Sequence, residues 1–120
     1  LCVTQDGVVS FAITTGQQTT LYSGAADQAV QCGQALLVRA GGLIIRVMNG
    51  QNATIRRDGA TCLLVYGQKV IELTNKGVMT CDVNGENATT LLNAAYESAS
   101  IANGTLYLGT SGGYTASVAL

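Results

Sequence analysis

The residues able to do chemistry in this chain are few and scattered. Seven acidic residues and six basic ones give a net charge of −1, and there is no histidine. The commonest general base, metal ligand and near-neutral pH switch is therefore missing. Asp6, Asp58 and Asp82 lie beside or between turn signals, and Glu72 and Glu97 fall in segments that read as strands. No two of these acids stand at a spacing suited to acid–base work. Asp27, Asp58 and Asp82 lack the DxDxDG-like spacing of a calcium loop. The segment GAADQAVQCGQ (24–34) lacks the GK[ST] ending of a phosphate loop. The expectation is a protein that is not an enzyme, with no cofactor and no metal.

The cations Arg39, Arg46, Arg56, Arg57, Lys69 and Lys76 form no long basic run. A nucleic-acid partner is accordingly not expected. Arg56-Arg57 is the one adjacent pair, a candidate contact for an acidic partner or simply a solvated hairpin end. Cys2, Cys32, Cys62 and Cys81 are spaced by 30, 30 and 19 residues, with no CxxC among them. That spacing argues against zinc. It leaves buried free thiols or disulfides, and four cysteines allow three pairings. Asn52, Asn87 and Asn103 each open an Asn-x-Thr sequon, a candidate glycosylation acceptor. The competing reading is turn chemistry, because Asn-Gly-x-Asn favours a turn with Thr starting the next strand.

The setting of these residues is apolar. Hydrophobic residues make up 48% of the 120, mean hydropathy is +0.30, and only 11% are charged. Soluble domains usually carry roughly 25% charged residues. Much of the surface is thus expected to be buried, against itself or against a protein partner or another copy of the chain. Residues 98–120 carry no charge but are interrupted by Gly104, Gly109, Gly112 and Gly113, so a membrane-spanning helix is not expected. LCVTQDG (1–7) carries no basic region or cleavage pattern, so no signal peptide is expected in it. Localisation follows the cysteines and sequons: cytoplasmic if the thiols are free, extracellular if they are bridged or the sequons are glycosylated.

NGQNAT (49–54) and NGENAT (84–89) lie 35 residues apart and mark a longer self-similarity. With Gly7, Gly42 and Gly77 in register, three units appear at 7–41, 42–76 and 77–112. Each opens with Gly and two aliphatics: Val8-Val9, Leu43-Ile44 and Val78-Met79. A Gly turn then follows, at Gly16-Gln17, Gly50-Gln51 and Gly85-Glu86. A later turn comes at Gly33-Gln34, Gly67-Gln68 and Asn103-Gly104. Residues 1–6 match the end of a preceding unit and 113–120 the start of a following one.

Each unit divides into four short strands of about nine residues, clearest in GLIIRVMNG, QNATIRRDG, ATCLLVYGQ and KVIELTNKG. Asn49-Gly50 and Asp58-Gly59 supply the positive φ angles of two-residue hairpins, and Val, Ile, Thr, Leu and Tyr dominate between the turns. The fold class expected is all-β, a tandem antiparallel meander. Ala88–Ser100 could be drawn as a helix, but its partner in the middle unit reads as strand. CLLVY (62–66) is apolar throughout, the pattern of a strand buried on both faces.

GTLYLGTSGGYTASVA (104–119), LCVTQDGVVSFA (1–12) and KVIELTNKGVMTCD (69–82) resemble the blade junctions of WD-like and quinoprotein-like β-propellers. There, "G-x-L-Y-V-G-T" runs through a small-residue turn into "G-x-V". The resemblance covers essentially the whole chain. It implies about three blades, completed by further chain or by self-association, because propellers have roughly four to eight. A β-trefoil and then a β-solenoid are the competing architectures. The function that follows is a non-catalytic protein–protein interaction scaffold. The alternatives are a secreted or surface carbohydrate-binding domain, or the non-catalytic portion of a propeller enzyme.

Overall fold

In the computed structural model, residues 2–4, 6–11, 15–113 and 115–120 are described, and they contain strands and turns but no helix. The all-β expectation is met, with fourteen strands in four antiparallel sheets among the described residues. The first sheet holds β1 (Cys2–Thr4), β2 (Gly7–Phe11) and β3 (Gln18–Ser23). The second holds β4 (Gln28–Cys32), β5 (Ala35–Ala40), β6 (Leu43–Met48) and β7 (Gln51–Arg56). The third holds β8 (Cys62–Tyr66), β9 (Lys69–Leu73), β10 (Val78–Cys81) and β11 (Thr89–Leu92). The fourth holds β12 (Ser98–Ala102), β13 (Thr105–Gly109) and β14 (Thr115–Ala119). Within each sheet every strand pairs with its neighbours in sequence, so each sheet is a simple meander. The segment Ala88–Ser100 supplies β11 and the start of β12 rather than a helix.

Short turns set these pairings. Asn49 and Gly50 both have positive φ (54° and 74°) between Met48 and Gln51, which face each other across the β6–β7 hairpin. Two such residues give the twist that a two-residue hairpin needs. Asp58-Gly59, expected to make another hairpin, does not: β7 and β8 belong to different sheets, and 57–61 crosses between them. The crossing is pinned by Ala60 N–H donating to Gly42 O at 3.0 Å and Thr61 N–H donating to Leu73 O at 2.8 Å. NGENAT also departs from its twin. All but its last residue, Thr89, lies in a seven-residue connection, 82–88, in which Asp82 accepts from the amides of Asn84 (2.8 Å) and Glu86 (3.0 Å). An aspartate at the start of a loop competes for backbone donors in this way. Its twin has Val47 at the place of Asp82, so it lacks such an acceptor and closes tightly.

The four sheets stack face to face in chain order. Val8 packs with Leu36 and Val38 between the first and second sheets. Leu37 and Ile44 pack with Leu63, Val70 and Cys81 between the second and third. Ile71, Leu73 and Val78 pack with Leu106 and Leu108 between the third and fourth. Sheets packed face to face are separated by about 10 Å, which fits a long dimension of 44 Å against 27 and 25 Å across. The middle sheets are covered on both sides, which favours strands apolar on both faces. CLLVY behaves as its composition implies: Leu63 and Val65 face the second sheet, while Cys62 and Leu64 face the fourth.

Candidate functional site

The charged residues of the interior gather at one seam, between the second and third sheets. On the second sheet, Gln28 pairs with Arg39, Arg39 with Ile44, and Ile44 with Arg56. Directly opposed residues share a face, and Ile44 lies in the cluster shared with the third sheet. The polar members of this row therefore project into the seam. A bulge between Ile44 and Ile45 brings Arg56, rather than Ile55, opposite Ile44. On the third sheet, Leu63 pairs with Glu72 and Glu72 with Met79, so the central strand β9 aims a carboxyl into the same seam.

Glu72 is the anomaly among the described residues. Its residue is 1% exposed, and neither carboxyl oxygen accepts a hydrogen bond. The Arg56 Nε lies 3.7 Å from Oε1, too long for a hydrogen bond. Arg56 is instead committed to Asp58, with Nε donating at 2.7 Å and the second guanidinium nitrogen at 2.6 Å. Burying an unpaired carboxylate is costly, and the carboxyl escapes that cost by keeping its proton. Burial, then hydrogen bonding with Asp58 and the charge of Asp58, push its pKa up to about 8, against a smaller opposing pull from Arg56. Kept as the acid, Glu72 has a proton to share with the Asp58 carboxylate in a hydrogen bond. That bond, together with Arg56, holds Asp58 below the usual carboxylate range. At neutral pH the arrangement is one carboxylic acid, one carboxylate and one guanidinium. Cys81, on the neighbouring strand β10, feels the same surroundings: burial and then Glu72 push its thiol up to about 11.

Two clamps close the seam on either side. Gln28 reaches across to the open edge of β8, where Nε2 donates to Leu63 O at 2.6 Å and Oε1 accepts from Leu63 N–H at 2.9 Å. Arg39 Nε donates to the same Oε1 at 3.1 Å, which fixes the orientation of the amide. On the other side, the connection 82–88 lies against β7. Arg56 donates to Gly85 O at 3.2 Å, and Arg46 donates to the Asn84 side chain. A Cβ on Gly85 would stand 2.3 Å from Ile55 O, and its φ is +78°, so this approach requires glycine.

The residues singled out from sequence are dispersed. Arg56 and Arg57, read together as a candidate partner contact, point different ways: Arg57 is exposed, while the Arg56 side chain is 18% exposed and bound within the chain. Asn52 is exposed on β7, and Asn103 is exposed at the β12–β13 turn with φ 51°. Asn87 is exposed, but its side-chain amide donates to Asp82 at 2.9 Å. Cys32, Cys62 and Cys81 are free thiols, each raised by burial, and the side chain of Cys2 lies outside the described residues. Glu97 precedes β12 rather than lying in a strand.

The Arg56–Asp58–Glu72 group was not foreseen, although the sequence holds a signal for it. In the three hairpins β4–β5, β8–β9 and β12–β13, the fourth residue of the second strand is Val38, Glu72 and Leu108. Two aliphatics and one acid at a single hairpin position mark Glu72 as exceptional. A neutral acid hydrogen-bonded to a carboxylate can take up and release a proton. At 1% exposure, however, Glu72 reaches no substrate in this conformation. No helix among the described residues is long and apolar enough to cross a membrane. No protein-family model matches the chain, and no curated protein matches it.

Proposed function

We propose that the chain is a protein–protein interaction scaffold. Its meander sheets are read as blade-like units of a β-propeller, completed by further chain or by another copy. The observation that carries this reading is the state of β14. It follows a two-stranded hairpin in its sheet, as β6 and β10 do in theirs, yet those two strands are flanked on both sides while β14 has a neighbour only on one. The opposite end of the stack offers a second open edge at β1. An unpaired strand edge displays free backbone donors and acceptors and takes up another strand. The β-trefoil and β-solenoid alternatives give no comparable role to these two edges.

Sedimentation equilibrium over a wide concentration range tests the reading. The wild-type chain is expected to self-associate, and Ser117→Lys, which places a charge on β14, is expected to weaken that association. A compact, stable monomer at every concentration contradicts it.

A further inference from the structure

We propose that the seam between the second and third sheets is a proton-operated joint, in which the acid form of Glu72 holds the two sheets closed and its ionisation loosens them. The proposal stands on the placement of the group. Glu72 sits on the central strand β9, buried at 1% exposure, with both oxygens lacking a donor. Its hairpin counterparts Val38 and Leu108 are aliphatic, so the fold needs no acid at this position.

Every charged or titratable group facing Glu72 bears on the outcome. From the second sheet and its exit loop come Arg56 and Asp58, already paired at 2.6 Å. From β10 comes Cys81, whose thiol stays neutral to about 11. Arg39 and Arg46 share the sheet face but are held by Gln28 and Asn84. Asp82 caps its own turn and acts on Cys81 rather than on Glu72. When Glu72 loses its proton to solvent, the group changes from one negative and one positive charge to two negative and one positive. Its proton is then no longer shared with Asp58, and the buried Glu72 carboxylate is left beside that of the partly exposed Asp58, which repels it. Relief comes from admitting water, which requires the two sheets to part around Glu72, the cross-strand neighbour of Leu63.

Two amides report on that parting, because each donates across the seam: Leu63 to Gln28 and Ala60 to Gly42. Carboxyl-carbon NMR on glutamate-labelled protein, titrated from about pH 5 to about pH 10, should show one of the three glutamates titrating near 8. That signal should be absent from Glu72→Gln. Hydrogen exchange of the Leu63 and Ala60 amides, corrected for base catalysis, should accelerate about tenfold or more through the same pH range. It should stay flat in Glu72→Val, whose new side chain already occupies the matching position at Val38. The proposal is overturned if no glutamate signal titrates near 8. It is equally overturned if Glu72 titrates high while exchange at the two amides is indifferent to pH. The wild-type titration decides the first point even if a variant fails to fold.

Discussion

Two seams of the stack are built by matching strands and held by opposite means. Between the third and fourth sheets the contact is Ile71, Leu73 and Val78 against Leu106 and Leu108, with Tyr96 at its margin. Between the second and third, aliphatic packing continues around Leu37, Ile44, Leu63 and Val70, but Arg56, Asp58, Glu72 and Gln28 run through it. The first seam depends on burial, and its buried cluster holds no carboxylate or cation. The second includes groups whose desolvation costs as much as their attraction returns, so it is the conditional one. The difference comes down largely to one hairpin position, Leu108 on one sheet and Glu72 on the other.

The comparison breaks most visibly at the apolar seam. Leu106 is fully buried at its centre, so Leu106→Ala should cost about 2–5 kcal/mol in chemical denaturation. That cost should be the same at acid and alkaline pH. Arg56→Ala should cost less, about 1–3 kcal/mol, because the side chain is partly solvated and its ion pair is discounted accordingly. Unlike the leucine change, its cost should grow as pH passes about 8, when Glu72 ionises with no counter-charge beside it. Denaturation curves at a mildly acid and a mildly alkaline pH separate the two behaviours.

Much of the scaffold was legible in the sequence because backbone geometry imposes it. The strands β6 to β9 follow the runs on either side of Asn49-Gly50 and Gly67-Gln68, and CLLVY is apolar on both faces because a sheet lies against each. The grouping of strands into sheets was not legible, because Asp58-Gly59 has the composition of a hairpin and serves as a crossing. What decides is tertiary: Asp58 is bound to Arg56, and Ala60 is buried with its amide on Gly42. Pairing also places Val8, Ile44 and Val78 at matching positions, one residue along from the Gly42 alignment in the middle segment. The two-residue turn at Gly41-Gly42 and the longer one before Gly77 account for that slip. The carboxyl group was hidden for a similar reason. Arg56 reads as half of an exposed pair, and only the bulge opposite Ile44 turns it inward toward Glu72.

The stability of wild type and Glu72→Val as a function of pH tests the conditional seam most directly. In the folded chain Glu72 keeps its proton up to about 8, whereas an unfolded glutamate releases it near about 4.3. Between those values folding takes up a proton. The contribution of Glu72 is therefore full below the unfolded value, falls as pH rises, and levels off above about 8, with a slope of at most about 1.4 kcal/mol per pH unit. Asp58 is shifted the other way, so its contribution is lost only on acidification and lies outside this range. The wild type should lose stability from mildly acid to mildly alkaline pH while Glu72→Val stays level, becoming the more stable protein at the alkaline end by about 1 kcal/mol or more. Parallel curves for the two proteins would contradict a buried, proton-holding Glu72.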